Sequence, residues 1–222
     1  SYGDLLLLES IRIKDYVIIF STLLNFLSLN NVRFLEIKSV PKIYHNTLSD
    51  EIDYVTFLAE AINFRTDVYL AIDMGKEYLP NTILTPNLNN RFNVKPVHSV
   101  EEIKKLAILF PEKIKLFNAY QDKKLKAGVV MFISDNVAHF QYSSGSEDRN
   151  DTAALDILFD FIIQKYSAKK YVSFGSSSEN NGKKLNAGLA YWKESFGATS
   201  SLQKFYRFDT SNYYLLNSIT DD

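Results

Sequence analysis

The chain has 222 residues, 46% hydrophobic and 14% aromatic, with 25 basic against 26 acidic side chains and a formal net charge of −1. That length and apolar content suffice for a sizeable core and exclude a disordered chain, while the balanced charge argues against a general nucleic-acid binder. With no cysteine, disulfides, thiolate metal sites and cysteine nucleophiles are excluded, and a reducing, cytoplasmic setting is expected.

In chain order, residues 4–9 (DLLLLE) read as a short buried strand and residues 14–29 as an apolar helix. The core of that helix, residues 16–29, is broken by Ser21, Asn25 and Ser28. It falls short of the ~18 uninterrupted apolar residues of a membrane span and has no signal-peptide cleavage pattern, so a soluble protein is expected. Residues 32–40 alternate as a strand does, residues 50–61 carry acids in a first turn and then helical apolar spacing, and residues 64–74 form another strand. Residues 79–99, rich in proline and asparagine, read as a connector, followed by a short helix over 100–109.

The second half uses similar grammar. Strands are predicted over 115–120 and 126–133, an Asp135-Asn136 turn, and a return strand over 137–143 running antiparallel. A strongly apolar helix over 152–166, a strand over 170–175, a helix over 183–195 and a strand over 202–209 complete the chain. Two segments, VRFLEIKSV to FRTDVYLAID and KYVSFGSS to LQKFYRFD, share the order strand, loop, helix, strand at nearly equal spacing. They predict a repeated architecture with little residue identity.

Several catalytic patterns fail. His45, His98 and His139 lie far apart with no metal-ligand spacing, and no metal site is expected. There is no GxSxG elbow. The loop GSSSENNGKK, residues 175–184, follows a strand as a Walker A loop does, but six residues separate its glycines and Lys184 stands where Ser or Thr would hold magnesium. The loop over residues 143–154 (SSGSEDRNDTAA) is more suggestive. A helix opening there offers free backbone N–H groups and a positive dipole end, small residues at Thr152, Ala153 and Ala154 admit an anion, and Arg149 adds charge. The local alternative is a helix cap by Asn150 or Asp151.

The order hairpin, small-residue loop, helix, strand, helix, strand resembles the acyl-CoA-binding part of the GCN5-related N-acetyltransferases (GNAT). Their Arg/Gln-x-x-Gly-x-Gly/Ala phosphate loop is matched by Arg149-Asn150-Asp151-Thr152-Ala153-Ala154, with Thr152 in place of the first glycine. Asn186, Tyr191, Trp192 and Phe196-Gly197 add to the likeness, the last pair in the reverse of the family's Gly-Phe order. The runs Lys95-Pro96-Val97-His98-Ser99, His139-Phe140-Gln141-Tyr142, Phe174-Gly175, Asn186-x-Gly188-Leu189 and Lys193-Glu194-Ser195-Phe196-Gly197 look like the FemAB-like branch, in which two such folds are fused, as found in surface-polysaccharide gene clusters.

That resemblance implies an α/β (α+β) fold of tandem GNAT-like mixed sheets with flanking helices. It implies an N-terminal half over 1–80, a connector and short helix over 81–112, and an acyl-donor-binding half over 113–222. The implied activity is N-acyl transfer from acetyl-CoA or another acyl-CoA to a small-molecule amine, the amino sugar of a surface glycan precursor. Backbone of Val137, Ala138, His139, Phe140, Gln141 and Tyr142 would pair with the pantetheine, and Arg149, Asp151, Thr152, Ala153, Ala154 and Asn186 would complete the donor site. Tyr191 is the implied general acid, with a core aromatic as the alternative; His139 and Glu194 are the candidate bases. Two alternatives stand beside it: a FemAB-type peptidyl transfer from aminoacyl-tRNA, the one nucleic-acid partner considered, and a non-catalytic binding module. The branch carries a basic helical segment where this chain passes from Pro80 to Asn81, which predicts residues missing there and before Ser1.

Overall fold

A computed structural model describes residues 3–5, 11–76, 98–146 and 153–217. They fall into two compact units, neither a continuous stretch of chain. The first is drawn from Ser1–Val68, Ser178–Lys184 and Leu202–Asp222, the second from Tyr69–Ser177 and Leu185–Ser201.

In the first unit, α1 (Ile13–Leu29) is followed by β1 (Phe34–Lys38), a single 3-10 turn at Lys42–Tyr44, α2 (Glu51–Leu58) and the start of β2 (Ile62–Asp73). The rest of that unit comes from later in the chain: the segment Ser178–Lys184, the end of β9 (Thr199–Asp209) and α6 (Tyr213–Asn217). β9 lies between β1 and β2 and runs antiparallel to β1, pairing Ile37 with Tyr206 and Glu36 with Arg207. Alternation puts Ile37, Tyr206 and Phe208 on one face, where they meet Tyr16, Val17, Phe20 and Leu24 of α1 and Val55 of α2. Helix α1 buries these residues at a spacing of three or four. Among the described residues no helix is long and apolar enough to cross a membrane.

The second unit holds α3 (Val100–Leu109), β3 (Ile114–Gln121), β4 (Lys124–Ile133), β5 (Val137–Gly145), α4 (Ala154–Lys165), β6 (Tyr171–Ser176) and α5 (Ala187–Ser195). The strand order is β2-β6-β5-β4-β3, with β5 and β6 parallel and β2–β6, β4–β5 and β3–β4 antiparallel. The sheet is therefore mixed, with helices flanking it, as the resemblance implies. α4 turns Leu158, Phe159, Ile162 and Ile163 into the core against Met131, Ala138, Phe140, Val172 and Phe174.

The two strand–helix–strand segments are both present, β1-α2-β2 and β6-α5-β9. Their last strands are exchanged: β9 pairs with β1, and residues 69–73 of β2 pair with β6. Most predicted elements match the structure to within a few residues. The exception is the predicted helix over 183–195, which begins only at Ala187. Before it, β7 (Ser178–Glu179) and β8 (Lys184–Leu185) form a hairpin. Its turn has Asn181 and Gly182 at φ 53° and 82°, closed by Lys183 N donating to Asn180 O at 3.1 Å, the Asn-Gly chemistry of a tight hairpin. The loop that resembled a phosphate binder in outline is thus a β-turn. The predicted strand over 4–9, the connector over 79–99 and the bond between Pro80 and Asn81 lie largely or wholly outside the described residues.

Candidate active site

β5 and β6 begin side by side and then part. Their parallel register runs Val137↔Tyr171, Ala138↔Val172 and His139↔Ser173, and no further pair is formed among the described residues. The cause lies in β6. Against β2, Gly175 pairs with Leu70 and Ser173 with Ala71, so Phe174 is an extra residue in a bulge. Gly175 follows it at φ 72°, a conformation that glycine adopts without penalty. β5 has its own bulge at Gln141, between the pairs Val130↔Tyr142 and Met131↔Phe140. Bulges on neighbouring strands at one level open a wedge whose β5 side is Phe140 to Gly145.

At the head of that wedge stand His139, Ser173, Gly175 and Lys193. His139 is mostly buried, its Nδ1 3.2 Å from Ser173 Oγ. Burial, with the nearby Lys193 charge adding to it, lowers its pKa from 6.5 to about 4, so the ring is neutral at neutral pH. Lys193 is 3% exposed. Its Nζ donates to Gly175 O at 3.1 Å and Ser176 O at 2.7 Å, and among the described residues no carboxylate forms an ion pair with it. Burial alone pulls its pKa from 10.5 to about 7. Ser177 Oγ, one residue beyond, is buried with no hydrogen-bond partner among the described residues.

An ammonium has three N–H donors, and two are used on the carbonyls. A lysine titrating near neutrality can give a proton and take one back, and buried titratable groups of this kind mark sites where pKa values are set for chemistry. Sequence reasoning missed Lys193 as a reactive group. The signal was there: Lys193 falls three residues after the buried Ala190 and three before the buried Phe196, in the apolar phase of the helix.

The other expected residues are placed as follows. Val137, Ala138 and His139 use both edges within the sheet, toward β4 or its turn and toward β6, whereas Phe140, Gln141 and Tyr142 meet no β6 partner among the described residues. Tyr142 Oη lies 2.8 Å from His98 Nδ1 and accepts from the His98 backbone N–H. Asn186 caps α5, its Oδ1 accepting from Leu189 N at 2.9 Å. Tyr191, 71% exposed, and Glu194 lie on the outer face of α5, and the structure does not bring them to His139 and Lys193. Arg149, Asp151 and Thr152 lie outside the described residues. Ala153 is the N-cap of α4, at φ 48°, and Ala154 opens the helix; among the described residues no side chain caps it. Among the described residues no three His, Asp or Glu side chains gather to hold a metal ion.

No family model matches the chain, and no curated protein matches it in sequence. Among solved structures the fold is similar to that of FemX, with TM-score 0.57 and 9% identity, covering 93% of this chain and 80% of that one. It is also similar to the C-terminal domain of a putative lysylphosphatidylglycerol synthetase from Agrobacterium fabrum, with TM-score 0.52 and 12% identity, covering 91% and 76%. A tandem GNAT protein from the clavulanic acid biosynthesis pathway is a further neighbour, at TM-score 0.47 and 8% identity, covering 87% and 69%. The fold is that of FemX in outline, a mixed α/β sheet with flanking helices.

Proposed function

We propose that the chain is an N-acyltransferase moving an acyl group from an acyl-CoA to an amine. The acceptor is the amino sugar of a surface glycan precursor, as the sequence resemblance implies. The observation that supports it most is the buried Lys193, with no carboxylate partner among the described residues, at the point where β5 and β6 part. The donor supplies an activated thioester carbonyl; its amide-bearing arm suits the backbone of Phe140–Tyr142, which β6 leaves uncovered. The acceptor amine must attack as the free base. A new C–N bond forms, the C–S bond breaks, the amine loses a proton and the departing thiolate takes one up. Lys193 is the proposed proton carrier between the two, because at about pKa 7 both of its forms are populated at neutral pH. Neutral His139 is the proposed hydrogen-bond acceptor that orients the incoming amine.

The experiment is paired. Acetyl-CoA should raise the melting temperature of the protein, since a ligand bound to the native state stabilises it by mass action. Thiol release with amino-sugar acceptors should then fall by roughly 10²–10⁴-fold in Lys193→Gln. No protection by any acyl-CoA, with turnover that depends on aminoacyl-tRNA, would replace the thioester donor by an ester. Silence in both assays would leave a binding module.

A further inference from the structure

A buried ammonium that no carboxylate among the described residues answers stays in place only if its helix cannot turn, because one residue of helical rotation swings a side chain by about 100°. The residue beside Lys193 is held from several sides. The Trp192 ring meets Phe159 edge-on at 5.0 Å, Phe196 at 5.3 Å and Phe174 at 5.8 Å. Its indole N–H donates to Asp156 Oδ1 at 3.0 Å. Asp156 lies in the first turn of α4, partly buried, and burial holds its carboxyl above the usual range against the opposing pull of the indole bond. A desolvated carboxylate is a costly way to hold a ring that three phenylalanines already enclose. What the bond adds over packing is direction: it allows one orientation of Trp192 and hence one rotation of α5.

We propose that the Asp156–Trp192 hydrogen bond is a positioning device for Lys193, fixing α5 so that the ammonium meets the Gly175 and Ser176 carbonyls away from water. Asp156 and Trp192 touch neither carbonyl; they act through the helix. The inference rests on the reading of Lys193 as the reacting lysine, and its test observes Lys193 without reference to turnover. The other titratable groups around Lys193 among the described residues are His139 on β5, neutral at neutral pH, and Glu194 on α5, which is exposed.

Competitive acetic anhydride labelling of the full chain, followed by peptide mass spectrometry across pH, gives the titration midpoint of Lys193. Trp192→Phe keeps an aromatic ring, though a smaller one, and removes the donor; Asp156→Ala removes the acceptor; Asp156→Asn keeps an oxygen that accepts. In the first two the midpoint should rise from about 7 toward the ordinary 10.5 as water reaches the ammonium, by about one unit, a tenfold change in proton affinity. Asp156→Asn should leave it in place. An unmoved midpoint in Trp192→Phe and Asp156→Ala, whatever their melting temperatures, overturns the proposal. So does an equal rise in Asp156→Asn, which keeps an accepting oxygen, since loss of the carboxylate charge by itself would lower the midpoint. A moved midpoint with unchanged turnover would leave the positioning intact and remove Lys193 from the chemistry.

Discussion

A side chain on Gly175 would stand 3.1 Å from Cε1 of His139, on a backbone that already sits at φ 72°. The bulge that parts β6 from β5 and the ring at the head of the wedge are therefore set against each other. Gly175→Ala should cost about 1–2 kcal/mol for the left-handed backbone and also displace His139. Urea denaturation measures the first effect, and a fall in turnover beyond what the lost stability explains measures the second. Wild-type activity in a stable variant would show that the wedge tolerates a side chain there.

Lys193 makes stability depend on pH in a stated direction. Its folded pKa, about 7, lies below the 10.5 of an unfolded lysine. Between those values the unfolded chain binds more protons, so stability rises with pH across that window and the penalty is fully present below it. Lys193→Met, similar in length and without charge, should flatten this slope and melt no lower than wild type at neutral pH, while turnover is lost. A Lys193→Met protein that keeps the wild-type slope would show that the ammonium is hydrated in solution.

Tyr191 tests the sequence-level expectation against the structure. Its side chain is 71% exposed on the face of α5 away from Lys193. Tyr191→Phe should retain turnover within about twofold, well short of the 10²-fold loss that marks a general acid. A larger loss, with donor affinity unchanged, would restore the phenol as the proton donor.

In the first unit, Tyr206 donates to Asp53, which also accepts from Lys204 Nζ at 2.9 Å. Burial works to raise the Asp53 pKa, but the Tyr206 hydroxyl and the Lys204 ammonium outweigh it and hold the carboxyl below its ordinary value. A depressed carboxyl adds stability above the unfolded pKa of 3.8, and that stability is lost as pH falls through the folded value. Tyr206→Phe should cost about 1.5–3 kcal/mol, the range for a hydrogen bond to a charged group, and move acid unfolding to higher pH. An unchanged acid midpoint would show that the lysines, Lys204 and Lys42, set the Asp53 carboxyl without the hydroxyl.

The elements were legible because each is short and strongly periodic. The alternation of Phe34–Lys38 and the spacing of Leu158, Ile162 and their neighbours report strand and helix directly. Pairing was not legible, because nothing local in Glu36 names Arg207 as its partner. The site was half legible. His139 enters as a candidate base through the family resemblance, whereas Lys193 appears there only as one letter of the run Lys193-Glu194-Ser195-Phe196-Gly197. The wedge depends on a Phe174 bulge that only the register reveals. The start of α5 was misjudged by four residues because Asn186 caps it and the preceding Asn-Gly turn makes a hairpin instead.

The exchange of last strands has a consequence for biosynthesis. Glu36 waits for Arg207, 171 residues later, before β1 has its neighbour, and β2 must find β6 before its far end is covered. Neither strand–helix–strand segment can close on itself as it leaves the ribosome, so until β9 is made the nascent chain carries an open edge on β1. Contacts this distant slow folding and lengthen exposure to aggregation. A nascent chain stalled before β9 should therefore be protease-sensitive in the first unit, and the same molecule released with β9 should become resistant there.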